Sequence, residues 1–295
     1  MTVRSAENSH GPKRVLRRPG EESTPVTVGP YVIGGAGFVV IGGPCAVESE
    51  AQTEQAASAV SAAGGHLLRG GAYKPRSSPY DFQGLGEEGL RILAAAGRRH
   101  GLPVVAEVMD AAQLPLMLEC VDLLQVGARN MQNFSLLQAL SKVRRPVLLK
   151  RGFAATFEEW MLAAEYLLDG GNDQVILCER GIRTFETATR NTLDLGIVAL
   201  AKLKLRLPVL VDPSHATGNR DLVIPLSLAA AAVGADGLLV EVHPNPDEAL
   251  CDGPQALPPK LFQELMARLP SVLAAVDRPL HPKCLPRIPS VARNA

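Results

Sequence analysis

The sequence lacks an excess of charge of either sign. Its 295 residues include 30 Lys and Arg and 30 Asp and Glu, so the formal net charge is zero. A broad positive field, as expected of a protein that coats nucleic acid or lies on a membrane surface, is therefore excluded. We predict neither a nucleic-acid nor a membrane partner. Any anionic ligand has to be bound by a local group of cations.

The chain also lacks a long apolar run and paired cysteines. Its main apolar stretch without charge, residues 31–47, is interrupted by glycine and proline and is too short for a membrane span of about 20 residues. The basic N-terminal segment has no apolar stretch of the kind found in secretory signals. The five cysteines are scattered without a Cys-x-x-Cys pair, which is typical of a reducing compartment. We expect a soluble, cytoplasmic protein.

Familiar nucleotide and hydrolase motifs are missing as well. The glycine-rich stretch 34–37 lacks the GxGxxG register and precedes a predicted strand instead of following one. GxSxG, HExxH and P-loop patterns are absent. We therefore expect no dinucleotide site.

Eight short apolar runs predict eight strands. They are nearly continuous in apolar character, which is typical of strands buried on both faces of a parallel sheet. The runs are residues 38–41, 66–69, 104–108, 123–126, 147–150, 175–178, 209–211 and 238–242. Helix signals such as the capping box Thr156-x-x-Glu159 lie between them. Because short crossovers of this kind impose parallel pairing, we predict a (β/α)8 TIM barrel over residues 26–276.

The regions around the barrel are predicted to be small. Residues 26–40 are typical of a β-hairpin with Gly34 and Gly35 near its turn, which would cap the bottom of the barrel. Residues 1–25 and 277–295 are polar or rich in proline, so we expect flexible tails with little core of their own.

Reactive side chains follow the ends of the predicted strands. In a barrel all of these ends lie on one face, and active sites are built on that face. The residues in question are Cys45, Arg69, Lys74, Glu107, Arg129, Lys150, Arg180, His215 and Glu241. We therefore predict a single site that draws on every strand.

The predicted face is crowded with cations in a protein of zero net charge. They are Arg69, Lys74, Arg76, Arg129, Lys150 and Arg180. Like charges held in a cleft destabilise a protein until an anion binds, so we expect a substrate with phosphate and carboxylate groups, bound in part by bidentate arginine contacts. The alternative is that each cation lies on a solvated rim beside its own carboxylate.

Four other side chains form a candidate metal site. Cys45, His215, Glu241 and Asp252 offer one thiolate, one imidazole and two carboxylates, a mixed set that suits Mn, Fe, Co or Zn. The alternative is that Cys45 and His215 are ordinary core residues. We interpret Cys120, Cys178 and Cys284 as structural and Cys251 as a packing neighbour. His66, at the start of a strand, should face the barrel bottom.

Six segments resemble one family in the correct order over roughly residues 26–276. They are GPCAVES (43–49), LRGGAYKPRSSPY (68–80), QVGARNMQN (125–133), LLKRG (148–152), DPSHATG (212–218) and EVHPNPDEALCDGPQAL (241–257). Together they resemble the 3-deoxy-D-arabino-heptulosonate 7-phosphate (DAHP) synthase family, in its type I beta branch.

The resemblance implies a reaction. It is the condensation of phosphoenolpyruvate with erythrose 4-phosphate to DAHP and phosphate, the first step of the shikimate pathway to aromatic amino acids or aromatic-derived metabolites. It also implies a homodimer or homotetramer.

The resemblance also implies the roles of the site residues. Cys45, His215, Glu241 and Asp252 would hold a divalent metal, with Mn²⁺ first and Fe²⁺, Co²⁺ or Zn²⁺ as alternatives. The residues that would bind phosphoenolpyruvate are Arg69, Lys74, Arg129, Lys150 and Arg180, and those that would bind the sugar phosphate are Arg76 and Ser77.

Three residues are hypothesised to act in the chemical steps: Lys74, Glu107 and the metal ligand His215. C3 of the enol attacks the sugar aldehyde while water adds at C2, and the adduct expels phosphate. Lys74 would protonate the new oxyanion, and we expect its pKa to be lowered by the neighbouring cations. Glu107 would orient the attacking water.

Three alternatives stay open. The sibling 3-deoxy-D-manno-octulosonate 8-phosphate (KDO8P) synthase uses arabinose 5-phosphate and normally carries KANRS where this chain has Lys74-Pro75-Arg76-Ser77-Ser78; the proline restricts the loop and favours the four-carbon sugar. A Schiff-base aldolase would use Lys150 as a covalent amine. A barrel that only binds a phosphorylated effector would need no metal site.

Two departures from the branch concern the pocket and regulation. Ala216 stands in DPSHATG where the branch more often has glycine. Residues 1–25 are too few and too polar for the regulatory domain or chorismate mutase that members often carry. We therefore expect no appended domain, and control, if any, by a partner protein.

Overall fold

The computed structural model of the protein describes residues 11–74, 76 and 78–283. The strands are β1 (Val26–Val28), β2 (Tyr31–Ile33), β3 (Val39–Gly43), β4 (Leu67–Arg69), β5 (Val104–Val108), β6 (Leu123–Val126), β7 (Val147–Lys150), β8 (Val175–Glu179), β9 (Val209–Val211) and β10 (Gly237–Glu241). The helices are α1 (Glu50–Ala62), α2 (Gly86–His100), α3 (Leu114–Cys120), α4 (Phe134–Leu140), α5 (Phe157–Asp169), α6 (Leu195–Lys204), α7 (Pro213–Thr217), α8 (Arg220–Ala232) and α9 (Pro259–Ala274).

Strands β3 to β10 form a closed parallel barrel in which β10 pairs with β3. These are the eight strands predicted from the apolar runs, and their ends agree to within two residues. The predicted (β/α)8 barrel is therefore confirmed. Within the described part of the chain, no helix is long and apolar enough to cross a membrane.

Alternate residues of each strand serve two different cores, as the two-residue period of a strand requires. Val40 and Leu68 point outward and belong to the large cluster beneath the helices. Val39, Ile41 and Leu67 belong to the cluster inside the barrel. Both sets are fully buried, which explains why the runs are apolar at every position.

The helix signals in the sequence act as predicted. At the start of α5, the Thr156 side chain accepts from the Glu159 amide at 3.2 Å, and Glu159 Oε2 accepts from the Thr156 amide at 2.7 Å. This capping box satisfies two amide groups that the first helical turn leaves free.

The hairpin of β1 and β2 closes the N-terminal end of the barrel. Val26, Val28, Tyr31 and Ile33 join the interior cluster formed by the barrel strands. The predicted cap is confirmed, but the predicted turn at Gly34 and Gly35 is wrong. The strands pair from Val26↔Ile33 to Val28↔Tyr31, so the turn is Gly29–Pro30.

The described parts of both terminal segments pack on the barrel. Val15 is fully buried, and Leu16 forms an isolated bridge with Leu205. At the other end, the Phe38 amide donates to the Pro279 carbonyl at 2.9 Å. These contacts give the two segments more core than their polar composition predicted. Cys284 lies outside the described residues.

Candidate active site

The four predicted metal ligands come together at the C-terminal ends of the barrel strands. Cys45 follows β3, His215 lies in α7 after β9, Glu241 ends β10, and Asp252 lies in the loop that follows β10. One ligand atom from each residue lies within 4.8 Å of the others. Sequence positions more than 200 apart are thus brought to one point by the barrel.

Local backbone geometry explains how the first of these residues reaches the cluster. Gly43, at the end of β3, has a φ of +141°, and a Cβ there would lie 2.2 Å from the Arg69 carbonyl oxygen. Only glycine fits this close approach of two strands. The chain can then turn and carry Cys45 over the barrel mouth.

A neighbouring carboxylate sets the orientation of His215. Asp212 Oδ1 accepts from the His215 amide at 2.9 Å, while Asp212 Oδ2 lies 2.7 Å from His215 Nδ1. The ring therefore turns Nε2 toward Glu241 Oε1, at 3.0 Å. A histidine held by a carboxylate at one nitrogen is a common way to present the other nitrogen to a metal ion.

The cluster fits a divalent cation by its donor chemistry. Among the described residues, Glu241 Oε1 is a buried oxygen without a hydrogen-bond partner, although His215 Nε2 and Arg69 Nη2 lie nearby at 3.0 and 3.2 Å. A buried carboxylate oxygen left in this way is costly unless a ligand takes it. Mixed sulfur, nitrogen and oxygen donors suit the borderline metals.

The protonation states of the cluster reflect the burial of opposite charges. Burial disfavours the imidazolium form of His215, but Asp212 and Glu241 outweigh it and raise its pKa to about 9. A hydrogen bond with Cys251, together with burial, raises the pKa of the Cys45 thiol well above its usual value. Without a metal, both groups therefore hold protons that metal binding has to displace.

A cavity of about 170 Å³ lies beside the cluster. Five of the six predicted cations line it: Lys74, Arg76, Arg129, Lys150 and Arg180. The sixth, Arg69, is buried next to it in a smaller cavity that also contains Cys45 and His215. The predicted concentration of positive charge at one mouth is therefore present.

The buried cations keep capacity for an anion. Arg69 Nη2 lies 3.2 Å from Glu241 Oε1, but Arg69 Nη1 is buried and has no hydrogen-bond partner within the described residues. Lys150 Nζ lies 2.5 Å from Asp212 Oδ2. Neither cation is on a solvated rim, since both side chains are about 5% exposed.

Three guanidinium groups surround one aromatic ring in the cavity wall. The Cζ atoms of Arg180, Arg183 and Arg129 lie 4.7, 5.1 and 5.4 Å from the centre of the Phe153 ring. Each contact is a cation–π interaction. Phe153 thus holds positive charges together where mutual repulsion would separate them.

Lys74 lies between the cluster and the cavity. Its Nζ is 3.0 Å from both Cys45 Sγ and the Cys45 carbonyl oxygen. The predicted lowering of its pKa is wrong. Burial acts in that direction, but the negative charges that Cys45 and Cys251 carry when they ionise outweigh it and raise the pKa of Lys74.

Glu107 reaches the cavity because its neighbour has no side chain. A Cβ on Gly127 would lie 2.0 Å from Glu107 Oε1. Gln125 Nε2 donates to Glu107 Oε2 at 3.1 Å and fixes the carboxylate. Glu107 thus lines the cavity as predicted.

The predicted sugar-phosphate residues are only partly described. Arg76 Nε donates to Asp81 Oδ2 at 3.2 Å, and its Nη1 lies 2.8 Å from Cys251 Sγ. Among the described residues, Arg76 is thus the predicted cation that also pairs with a rim carboxylate. Ser77 lies outside the described residues. Cys251 is a neighbour of the cluster, with its Sγ 3.4 Å from Cys45 Sγ.

Sequence reasoning missed several residues in or next to the site. Phe153, Arg190 and Gln255 directly contact predicted site residues. Arg190 lies well beyond the end of β8, so the rule that function follows strand ends does not find it. Gln255 is neutral, and no pattern of spacing distinguishes it.

The fold and the site define a class: a (β/α)8 barrel with a candidate metal cluster beside a cationic pocket for a phosphorylated ligand. The model of the DAHP synthetase I family matches residues 23–274. The chain therefore belongs to this family.

Individual relatives show the same relationship. The chain is 51% identical over 264 residues to a phospho-2-dehydro-3-deoxyheptonate aldolase of Thermotoga maritima, covering 90% of this chain and 78% of the relative. It is 33% identical over 279 residues to a 2-dehydro-3-deoxyphosphooctonate aldolase of Desulfotalea psychrophila, covering 86% and 98%.

Solved structures agree. The crystal structure of the Thermotoga maritima aldolase, named as a DAHP synthase, superposes with a TM-score of 0.88 at 50% identity over 92% of this chain and 79% of that one. A truncated form of DAHP synthase from the same organism gives 0.84 at 47% identity, over 90% and 98%.

Proposed function

We propose that this chain is a DAHP synthase, which condenses phosphoenolpyruvate with erythrose 4-phosphate and releases phosphate. One observation carries the proposal above the others: a cavity lined by five cations adjoins the four-residue cluster of candidate metal ligands. A substrate with a carboxylate and a phosphate needs such a pocket. The 51% identity to the Thermotoga maritima enzyme supports the same reaction.

Phosphoenolpyruvate would bind to the buried cations. Arg69, whose buried Nη1 has no hydrogen-bond partner among the described residues, has a donor left for a carboxylate or phosphate oxygen. Arg129 and Arg180 present planar guanidinium groups that can bind an oxyanion through two parallel hydrogen bonds. Lys150 and Lys74 add two point charges, and Arg76 with Ser77 would bind the phosphate of the sugar.

Cys45, His215, Glu241 and Asp252 would hold the divalent metal, for which we propose Mn²⁺ first and Fe²⁺, Co²⁺ or Zn²⁺ as alternatives. When bound, the metal would polarise the aldehyde oxygen of the sugar as a Lewis acid. His215 would contribute to catalysis through this ligation, with Asp212 fixing its ring at 2.7 Å.

Lys74 would act as the proton donor. Its Nζ lies 3.0 Å from Cys45 Sγ, so it faces the position where the aldehyde oxygen must lie beside the cluster. As C3 of the enol forms its bond to the aldehyde carbon, the aldehyde oxygen gains a negative charge and takes a proton from the Lys74 ammonium. Because its pKa is raised, Lys74 is fully protonated at neutral pH.

Glu107 would serve the second half of the reaction. Attack by C3 leaves C2 electron-poor, and water adds there while Glu107 accepts one of its protons. The bond between C2 and the phosphate oxygen then breaks, the departing phosphate takes the proton of the new C2 hydroxyl, and C2 becomes the carbonyl carbon of the product. Water thus supplies the new carbonyl oxygen, and inorganic phosphate leaves with its bridging oxygen.

The alternatives have less support. The phosphooctonate aldolases are 32–35% identical, against 51% for the heptonate aldolase. For a Schiff-base aldolase, the Lys150 amine would have to be a free nucleophile, whereas its Nζ is bound by Asp212 at 2.5 Å. A cytoplasmic location, a homodimer or homotetramer and control by a partner protein remain parts of the proposal that follow from the family resemblance and the scattered cysteines.

The test measures phosphate release from phosphoenolpyruvate with erythrose 4-phosphate or arabinose 5-phosphate, each after chelation and after adding Mn²⁺. We expect release with the four-carbon sugar alone, lost with chelator and restored by Mn²⁺. Release with arabinose 5-phosphate instead would reassign the chain to the sibling reaction. Turnover that survives chelation and is trapped by borohydride would establish the Schiff-base aldolase.

A further inference from the structure

Arg190 connects the loop between β8 and α6 to the helix that carries His215. The Arg190 amide donates to the Thr217 carbonyl at 3.0 Å, at the end of α7. The next residue, Asn191, donates through Nδ2 to the His215 carbonyl at 3.1 Å. The backbone at Arg190 is therefore fixed relative to one candidate ligand.

The Arg190 side chain then connects to two other candidate ligands, directly to Asp252 and through Gln255 to Glu241. Its Nη1 donates to Asp252 Oδ1 at 3.3 Å and to Gln255 Oε1 at 2.9 Å. Gln255 in turn donates through Nε2 to Glu241 Oε2 at 2.7 Å. A continuous hydrogen-bond network thus runs from Asp252 through Arg190 and Gln255 to Glu241.

Each of the two carboxylates in this network, Asp252 and Glu241, has one oxygen bound within the network and the other turned into the cluster. Asp252 Oδ2 lies 3.2 Å from Cys45 Sγ and 3.8 Å from His215 Nε2. Glu241 Oε1 lies 3.0 Å from the same nitrogen and has no hydrogen-bond partner among the described residues. The oxygens that face inward are the ones a cation would take.

We propose that Arg190 and Gln255 are positioning residues that hold the two carboxylates in the orientation needed to bind the metal. The inference rests on the metal site of the proposed function. A carboxylate held in advance loses less rotational freedom when the ion binds. Residues that orient ligands in this way typically contribute a factor of about 10 to 100 to metal affinity.

Charge and orientation act in opposite directions here, which makes the proposal testable. Arg190 carries a positive charge close to a metal ligand, so Coulomb repulsion alone would weaken the binding of a dication. Removing that charge should then strengthen binding if Arg190 were only an electrostatic neighbour. Loss of positioning should weaken binding instead.

The experiment measures the dissociation constant for Mn²⁺ on the full chain, stripped of metal and without substrates, by competition with a fluorescent chelator. Arg190→Gln removes the charge from a side chain that is 39% exposed, so the fold should tolerate it. Gln255→Leu removes the second link. Arg220→Gln is the matched control, because Arg220 bonds the Gly253 carbonyl in the same loop but neither carboxylate.

We expect Arg190→Gln and Gln255→Leu each to weaken Mn²⁺ binding about tenfold, with the stripped Arg190→Gln protein melting as the unaltered protein does. The Mn²⁺ dissociation constant of the control, Arg220→Gln, should stay within about twofold of that of the unaltered protein. The double variant should weaken binding by less than the product of the two single effects, since both residues act through the same hydrogen-bond network. Unchanged or tighter binding in Arg190→Gln would overturn the inference alone, whereas no Mn²⁺ binding by the unaltered chain would overturn the proposed metal site itself.

Discussion

Each end of the barrel holds a histidine, fully buried in the case of His66 and 14% exposed in the case of His215, and the two are in opposite electrical environments. His66 precedes β4 at the closed end, which is the end covered by the hairpin of β1 and β2. His215 lies in α7 at the open end, where the C-terminal ends of the strands surround the cavity. Backbone groups bind both nitrogens of His66: its Nδ1 accepts from the Val40 amide at 2.9 Å, and its Nε2 donates to the His281 carbonyl at 2.8 Å. His215 is surrounded by carboxylates instead.

The pKa values follow these surroundings. Burial lowers the pKa of His66, against the smaller opposing effect of its hydrogen bond to the His281 carbonyl. At the open end, the carboxylates of Asp212 and Glu241 overcome burial and raise the pKa of His215 to about 9. The comparison shows that placement in the barrel, more than residue type, decides whether a buried histidine is a packing group or part of a charged site.

The short strand β4 connects the two ends. His66 packs edge-to-face against Tyr31 at 5.1 Å, while Arg69, at the other end of the strand, reaches Glu241 at 3.2 Å. Between the two ends lies the apolar interior cluster of the barrel. We therefore expect changes at the closed end to affect stability and changes at the open end to affect activity, as is general for this fold.

The largest expected effect is at the open end. Lys74→Met removes the proposed proton donor, and we expect turnover to fall by about 10²- to 10⁴-fold, the usual contribution of a general acid. The melting temperature should change little. Lys260→Met, on an exposed position of α9, is the control. Turnover of Lys74→Met near that of the control would remove Lys74 from the mechanism.

The next effect is at the closed end. Ile33→Ala empties space in the interior cluster, where Ile33 is fully buried. The substitution should lower the free energy of unfolding by about 3 kcal/mol and the melting temperature by about 5 °C. The KM values of the folded protein should not change. A changed KM for phosphoenolpyruvate, measured well below the melting temperature, would show that the two ends are coupled.

A smaller effect is expected in the cavity wall. Phe153→Leu keeps an apolar side chain but removes the ring that contacts Arg129, Arg180 and Arg183. With about 1 kcal/mol of cation–π energy lost, the KM for phosphoenolpyruvate should rise about fivefold. Phe153→Tyr, which retains the ring, should have the KM of the unaltered protein. Equal KM values in both variants would mean that the ring does not position these arginines.

The smallest effect is a pH dependence at the closed end. Because the folded pKa of His66 is lowered, the unfolded chain binds a proton first as the pH falls below about 6.5. The contribution of His66 to stability is thus complete above that pH and is lost as the pH falls toward the folded value. Chemical denaturation from pH 8 to 5 should show this loss, and His66→Gln should remove it. An identical pH profile in His66→Gln would contradict the neutral assignment.

Sequence patterns predicted the parts of the site that depend on the barrel alone. Cys45, His215 and Glu241 follow strand ends directly, and parallel strands place such positions together whatever the loops do. The turn of the hairpin was predicted at Gly34 and Gly35, although Gly29–Pro30 is also a turn sequence. Only the pairing of Val28 with Tyr31 selects Gly29–Pro30.

Features that depend on side-chain distances could not be predicted. The pKa of Lys74 is raised because its Nζ lies 3.0 Å from Cys45 Sγ, a distance that no spacing encodes. Arg190 reaches Asp252 from a long loop whose path is set by contacts with α7. In both cases the neighbour that the side chain meets depends on the folded path of a loop, which the sequence pattern does not give.

The most direct test of the central claim is anomalous diffraction from a crystal grown with Mn²⁺. The division of the barrel into a packed end and a charged end predicts one strong anomalous peak per chain, among Cys45, His215, Glu241 and Asp252. No peak there, or a stronger one elsewhere on the chain, would contradict the claim that the open end is built around a metal ion.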